Sequence, residues 1–363
     1  MLFMSELPAL NRKNTHLAWI RLEAFLSTRA PNTQITYRGI FREWCEFLGA
    51  IPETESGTKK ILAATDLHAL SYRKWLFSRP GQRARMASSS SSHSKRTKAL
   101  SAEVNRKDRE KKSGLEQTQT NATVWKKLAA LRRLYRVLVA AELISGNPFD
   151  TDKVAPPPKD SGRKRPTEMV PFELVREILS LPDTSTEKGL RDKALLSILF
   201  GAGLRRSEAA SIRIGDLKKS SGGTSYVLLR ATKAKKDQQA ALPDWVSAVL
   251  FAYVAIRKQD HKAKDGDFLF CAYVGQAGKT AVNRPISHSG IYKLFKEYAL
   301  RAGVSAVVSP HSARATAITK LLDDGLSHRF VQEFSRHASI QMVEVYDKRR
   351  IGIDSSPAKN LKF

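Results

Sequence analysis

Between Ser309 and Asp347, two of the histidines, one of the arginines and the tyrosine stand at spacings that suggest a single polar cluster. They are His311, Arg314, His337 and Tyr346, and the tyrosine follows His337 by nine residues. A tyrosine hydroxyl beside fixed cations suits attack on a phosphodiester, because the cations neutralise charge that develops at phosphorus. A guanidinium also binds two phosphate oxygens at once. Taken singly, His311 equally fits a capping or surface position and Tyr346 a half-buried core position.

The elements that must position these residues are two short helices. A serine followed by proline, Ser309-Pro310, predicts a helix start, so His311 and Arg314 would share one face of its opening turns. An apolar stripe would bury this helix and leave the His-Arg pair at its polar entrance; the stripe comprises Ala317, Ile318, Leu321 and Leu322. A second helix is predicted from about 328 to 336, with a turn at 337–339.

This stretch resembles the second signature of the tyrosine recombinases, the phage integrase and Xer family of site-specific DNA recombinases. That signature has His-x-x-Arg, then a Gly-His pair, then the nucleophilic tyrosine nine residues after that histidine. This chain supplies His311-Ser312-Ala313-Arg314, Arg336-His337 and Tyr346. Arg336 stands where the family usually has glycine, and Ser335 where it usually has leucine.

Residues 203–208, Gly-Leu-Arg-Arg-Ser-Glu, resemble the first signature of the same family. By themselves they are only a helix start after a glycine break. The resemblance implies that Arg205 is a second catalytic arginine, and Glu208, one turn later, would hold a neighbouring cation, although a surface salt bridge would have the same spacing. The family also carries a catalytic lysine on a β-hairpin. Strands predicted at 226–229 and 240–242 flank a turn at 232–237, where Lys233 is preferred and Lys235 is the alternative.

The resemblance implies an enzyme that cuts and rejoins DNA through a 3′-phosphotyrosyl intermediate and a Holliday junction, in integration, excision or resolution. The implied catalytic set is Arg205, Lys233, His311, Arg314, His337 and Tyr346, with no metal, no cofactor and no ATP. A homotetramer on two synapsed DNA sites is expected, with accessory DNA-bending or directionality proteins as further partners. Two alternatives stay open: relaxation of DNA by a type IB topoisomerase, and a non-catalytic DNA-binding protein with the same fold.

Composition points to a polyanionic partner. The 363 residues carry 62 Lys and Arg against 35 Asp and Glu, a formal net charge of +27. Basic residues spread over both halves can track a phosphate backbone, whereas membrane targeting usually concentrates charge beside an apolar anchor. Two distant cysteines, Cys45 and Cys271, are too few for a disulfide scaffold or a thiolate metal site. Without a signal peptide or membrane span, a cytoplasmic, nucleoid-associated protein is expected.

The predicted fold is mainly α: an N-terminal helical core-binding domain, then an α+β catalytic domain with a small antiparallel sheet. The first domain (1–153) would hold four helices, and it resembles the family's core-binding domain through Asn32, Thr33, Tyr37, Trp44, Phe47, Asn147 and Pro148. It contains a basic, serine-rich insert at about 79–120 that is expected to be disordered, either a passive tether or a DNA-binding arm. After this domain come a proline-stiffened linker (154–166), the catalytic domain (167–350) and a tail (351–363). The tail is hypothesised to dock on a neighbouring subunit.

Two basic groups are candidate DNA contacts. One lies on the fourth predicted helix, and the other lies in the linker, which would let two domains close around a duplex. The residues are Lys126, Lys127, Arg132, Arg133, Arg163, Lys164 and Arg165. For the helix, a solvated amphipathic face explains the pattern nearly as well.

Overall fold

The computed structural model describes residues 12–79, 119–158, 167–230, 237–274, 280–304 and 307–347. The described residues fall into two compact units, the first made of 12–79 and 119–158 and the second of 167–347 with its gaps. Several predictions lie outside the described residues: most of the insert, the linker cations Arg163, Lys164 and Arg165, the hairpin lysines Lys233 and Lys235, and the tail.

The first unit is helical. Its described helices are α1 (Arg12–Ser27), α2 (Pro31–Leu48), α3 (Glu55–Leu62), α4 (Asp66–Ser78) and α5 (Asn121–Ala140). The sequence predicted four of these and missed α3. This short helix begins where the Thr54 hydroxyl accepts a hydrogen bond from the Gly57 N–H at 3.1 Å. At eight residues it is too short for a clear apolar period, so packing against α1 and α2 decides its existence.

An aromatic cluster fills the core of the first unit. Trp44 is fully buried and packs edge-on against Tyr72 and Phe149, each at 5.0 Å between ring centroids. Its indole Nε1 donates to the Tyr135 hydroxyl at 2.8 Å, and that hydroxyl donates to the Ile61 carbonyl at 2.8 Å. The apolar face of α5 is buried in the same core. The buried polar groups of Trp44 and Tyr135 are therefore paired, as burial requires.

The second unit begins with α6 (Phe172–Ser180), α7 (Glu187–Gly201) and α8 (Arg206–Ser211). After the strands come α9 (Asp244–His261) and α10 (His288–Arg301), then α11 (Pro310–Asp323), α12 (His328–Ser335) and α13 (Gln341–Glu344). The predicted glycine break is present, since α7 ends at Gly201 and α8 begins at Arg206. The apolar face of α7 packs on both α9 and α11, which fixes the start of α11 relative to the break.

Two small antiparallel sheets lie in the described part of the second unit. Strands β1 (Leu217–Lys219), β2 (Ser225–Leu229) and β3 (Gln238–Ala241) pair in that order, with Val227 opposite both Leu217 and Ala240. Strands β4 (Cys271–Val274) and β5 (Thr280–Pro285) form the other sheet. The sequence predicted β2 and β3 and missed β1, β4 and β5. Just before β4, Phe268 forms an isolated antiparallel bridge with Arg213.

A separate apolar cluster lies beneath the predicted Tyr346 site. It joins α11, α12 and α13 and contains Ala315, Ile318, Leu322, Val331, Val343 and Tyr346. The tyrosine ring is thus held by packing, while its hydroxyl is free to reach the polar side.

The prediction of a mainly helical chain with small antiparallel sheets is confirmed. Within the described residues, none of the helices has the length and apolar content needed to cross a bilayer.

Candidate active site

Arg314 lies in the second turn of α11 and is fully buried. Its Nη1 donates to the Gly203 carbonyl at 2.6 Å, and its Nη2 donates to the Ser335 carbonyl. The sequence predicted a polar entrance for His311 and Arg314, and it did not predict that Arg314 is buried there. The helix start is exposed only on the His311 side, because the glycine break and the end of α12 cover the arginine.

Arg205 lies just before α8, with its side chain 31% exposed. Its Nη1 donates to Glu208 Oε1 at 2.5 Å, and its backbone N–H donates to Glu208 Oε2 at 2.8 Å. The predicted support by Glu208 is therefore present as a contact. The preceding Gly203 has φ +55°, and a Cβ there would lie 3.0 Å from the Phe334 ring. Only glycine combines this left-handed backbone with so close an approach of α12.

The two guanidinium groups meet at the end of α12. Arg314 donates to the Ser335 carbonyl and Arg205 Nη2 donates to the next carbonyl, that of Arg336, at 3.3 Å. Consecutive residues have Cα atoms only about 3.8 Å apart. Two arginines more than a hundred residues apart in the chain thus converge on one short turn.

His337 and Tyr346 stack face to face, with ring centroids 6.0 Å apart and planes inclined by 10°. Both are 8% exposed. The Nδ1 of His337 lies 3.1 Å from the Ser335 hydroxyl. Burial, together with the charges of Arg314 and Arg205, lowers the pKa of His337 to about 4. The His337 ring is therefore neutral at neutral pH in the free protein.

The hydroxyl of Tyr346 lies 3.3 Å from Nε2 of His311. Partial burial of the His311 ring, together with the charges of Arg314 and Arg205, lowers the pKa of His311. This ring is therefore also neutral at neutral pH. Burial raises the pKa of Tyr346, and Arg314 and Arg205 oppose that rise without cancelling it. The phenol is therefore protonated at rest, with a neutral imidazole in position to accept its proton.

Positive charge dominates the cluster. Burial, then the charges of Arg205 and Arg336, lower the pKa of Arg314, although an arginine still remains protonated near neutral pH. Burial opposes ionisation of Glu208, but the Arg205 N–H and the charges of Arg336 and Arg205 hold its pKa below the ordinary value. Three guanidinium groups thus share the cluster with one carboxylate, which Arg205 and Arg336 contact. Among the described residues, no group of three or more His, Cys, Asp or Glu side chains is placed to hold a metal.

Arg336 and Ser335 are the site residues whose contacts the sequence did not predict. The sequence singled them out only as departures from a glycine and a leucine. Arg336 adopts the left-handed conformation that such a glycine would have, with φ 55°, and its side chain is 5% exposed beside Glu208. The sequence signal for this contact was an arginine at a position where the family usually has glycine, the residue that adopts positive φ most readily.

The predicted DNA contacts on α5 differ from one another. Lys126 and Arg133 are exposed. Lys127 instead pairs with Glu43 at 2.7 Å, and Arg132 donates to the Phe149 carbonyl at 2.6 Å. Those two side chains hold the first unit together, so of the four, Lys126 and Arg133 are the ones free to meet a partner.

Comparisons with known proteins agree with this geometry. Residues 169–350, about half of the chain, match the Phage integrase family. Tyrosine recombinase XerC of Pelotomaculum thermopropionicum is 31% identical over 230 residues, which cover 62% of this chain and 70% of that protein. Tyrosine recombinase XerD of Neisseria meningitidis serogroup A is 32% identical over 222 residues, covering 60% and 69%.

Solved structures share the fold. The Tn1549 transposon integrase in complex with circular intermediate DNA has a TM-score of 0.58 at 18% identity, with 96% of this chain and 99% of that chain covered. A lambda integrase dimer bound to a COC′ core site has a TM-score of 0.54 at 14% identity, with 93% and 99% covered. Since a family match over the second unit, relatives of this identity and the fold all agree, this chain belongs to the phage integrase family and is a tyrosine recombinase.

Proposed function

We propose that this recombinase cuts and rejoins DNA at specific sites through a 3′-phosphotyrosyl link to Tyr346. One observation carries the proposal: the Tyr346 hydroxyl lies 3.3 Å from His311 Nε2, in the electrostatic field of Arg205 and Arg314. A nucleophile, a base and two fixed cations are the groups that attack on a phosphodiester requires.

In the attack step, the Tyr346 oxygen bonds to phosphorus and the bond from phosphorus to the 5′-oxygen breaks. The phenol proton passes to His311 Nε2, which is the acceptor when the neutral ring carries its proton on Nδ1. The raised pKa of Tyr346 makes this base necessary, because almost no phenolate is present at neutral pH.

Arg205 and Arg314 would bind the non-bridging phosphate oxygens, with His337 as an additional hydrogen-bond partner. Loose phosphoryl transition states respond mainly to positioning and charge, and loss of one preorganised donor typically costs about 10²–10³ in rate. Either arginine should be nearly indispensable. Fixed guanidinium charge would take the place of a metal ion at the phosphate.

Lys233 would protonate the departing 5′-oxygen, since an alkoxide is a poor leaving group and a positioned acid contributes about 10²–10⁴. The preference for Lys233 over Lys235 stays a prediction. Strands β2 and β3, which precede and follow both lysines in the sequence, pair with each other.

Strand exchange would follow without ATP, because the covalent link conserves the energy of the broken bond and a 5′-hydroxyl from another duplex can reverse the step. We propose a homotetramer on two DNA sites, a Holliday junction intermediate and activity in the cytoplasm. The net charge of +27 and the exposed Lys126 and Arg133 support a DNA partner. The Tn1549 and lambda integrase structures both contain DNA.

A trapped covalent adduct tests the proposal. Duplexes that the protein binds are first selected from a random inverted-repeat pool, and the selected site is then nicked beside the cleaved phosphate. The short 5′-hydroxyl fragment diffuses away, so cleavage leaves the protein attached to DNA. We expect an adduct with the wild type and none with Tyr346→Phe. Tyr292→Phe is the matched control, because Tyr292 is 37% exposed on α10, and it should form the adduct normally.

The alternatives give different results. A selected site that is bound but never linked to the wild type would indicate a non-catalytic DNA-binding protein. Relaxation of a supercoiled plasmid that lacks the selected site would indicate a topoisomerase of type IB.

A further inference from the structure

Arg336 occupies an unusual backbone position at the end of α12. Its φ is 55°, a left-handed conformation that costs a non-glycine residue about 1–2 kcal/mol. This turn directs two successive carbonyls, those of Ser335 and Arg336, onto Arg314 and Arg205. The strained residue is therefore the one whose backbone joins the two guanidinium groups.

The Arg336 side chain folds back into the same cluster. Its Nη1 donates to the Phe334 carbonyl at 2.7 Å. Its Nη2 lies 3.4 Å from Glu208 Oε2, 3.4 Å from the Gly203 carbonyl and 3.5 Å from the Ala202 carbonyl. The guanidinium thus links the carboxylate that holds Arg205 to the turn that holds Arg314.

The contact between Arg336 and Glu208 changes the net charge at the proposed phosphate site. Glu208 alone would neutralise Arg205 and leave one net positive charge from Arg205 and Arg314. With Arg336 sharing the same carboxylate, the net charge of the cluster rises to two. Burial and the charges of Arg314, Arg205, His311 and Arg336 all lower the pKa of His337, so the field of Arg336 extends across the cluster.

We propose that Arg336 is a positioning residue for the phosphate site: by sharing Glu208 and binding the 202–203 turn, it keeps Arg205 and Arg314 in place and Arg205 available to the phosphate. The inference rests on the proposed function, because it assigns Arg336 a part in the same reaction. Arg336 acts through Glu208 and the two catalytic arginines and does not itself contact the substrate.

Arg336→Gly is the decisive variant, since glycine accepts the left-handed turn and removes the side chain with its guanidinium. We expect adduct formation on the nicked site to slow on the order of 10²-fold, as misplacement of reacting groups does. Arg336→Lys keeps the positive charge but lacks the planar guanidinium, and it should give an intermediate rate. Arg329→Ala is the matched control, because Arg329 lies on the same helix with its side chain 83% exposed, and it should react at the wild-type rate.

A double-mutant cycle separates positioning from a merely structural role. If Arg336 acts through Glu208, Arg336→Gly should slow the reaction much less in a Glu208→Gln background than in the wild type. Equal slowing in both backgrounds, or a wild-type rate for Arg336→Gly, overturns the inference. Should the glycine variant fail to fold, Arg336→Asn, which also tolerates positive φ, takes its place in the cycle.

Sulfate binding keeps this test independent of the proposed reaction. Sulfate affinity, measured without DNA from the rise in melting temperature, should fall on the order of tenfold in Arg336→Gly, because one positive charge is lost. Unchanged sulfate affinity overturns the inference even if the wild type forms its adduct. Absence of a wild-type adduct would instead refute the proposed reaction and leave the sulfate comparison to decide the role of Arg336.

Discussion

Glu208→Gln should destabilise the second unit strongly, because Glu208 is the carboxylate that pairs with Arg205 and with the buried Arg336. Its side chain is 8% exposed. It accepts hydrogen bonds from the Arg205 backbone N–H, Arg205 Nη1 and Arg336 Nη2. Glutamine has almost the same shape, so the substitution removes one charge and leaves the packing unchanged.

The magnitude follows from the burial of these groups. Removal of one partner of a buried ion pair costs about 3–5 kcal/mol, because the remaining charge stays buried without compensation. The glutamine oxygen can still accept the Arg205 N–H, which favours the lower end. We therefore expect a loss of about 3 kcal/mol in the free energy of unfolding, about a hundredfold in the folding equilibrium.

The pH dependence supplies a second check. The pKa of Glu208 in the folded protein lies below its ordinary value of 4.5. Ionised Glu208 therefore contributes stability fully above that ordinary value, and the contribution disappears as pH falls through the lower folded pKa. Glutamine does not titrate. The stability difference between wild type and variant should be complete at neutral pH and should shrink on strong acidification.

Urea unfolding followed by circular dichroism measures both effects. Glu333→Gln is the control, because Glu333 lies on α12 with its side chain 68% exposed, and its stability should stay within about 0.5 kcal/mol of wild type. The reasoning fails if Glu208→Gln is as stable as this control at neutral pH, or if its deficit is the same at every pH.

Three further predictions concern other contacts. Gly203→Ala should lower the free energy of unfolding in urea by about 1–3 kcal/mol, because a Cβ would meet the Phe334 ring at 3.0 Å. Gly223→Ala is the control: its φ is +83° and the space around its Cβ is open, so it should cost only the backbone strain. Equal losses of stability in the two variants would contradict the packing argument. The His337 ring should titrate near pH 4 by NMR in the free protein. Its contribution to stability is therefore complete above its ordinary pKa of 6.5 and decreases as pH falls toward 4. Titration near 6.5 would show that the ring is not buried among arginines. Tyr135→Phe should destabilise the first unit by about 1–3 kcal/mol in thermal unfolding, since Trp44 Nε1 would lose its buried acceptor, and an unchanged melting temperature would refute this.

The sequence alone determined the class of the fold and most of its helices. Apolar periods of 3.6 residues, the Ser309-Pro310 start and the glycine break before Arg205 are local signals, and the structure has a helix at each. Strands β1, β4 and β5 and helix α3 were missed, because such short elements depend on distant partners: β1 needs β2, and β4 and β5 need each other.

For the site, residue types and spacing identified which side chains to consider, and tertiary structure decided how they are used. Spacing along α11 put His311 and Arg314 on one helix, but only the packing of the glycine break and α12 buried the arginine and left the histidine exposed. Of the four candidate DNA contacts on α5, Lys127 pairs with Glu43 and Arg132 binds the Phe149 carbonyl, so these two are occupied within the first unit. The place of Arg336 beside Glu208 likewise depends on two segments more than a hundred residues apart, because charge sharing is set by distance in space and sequence spacing carries no such distance.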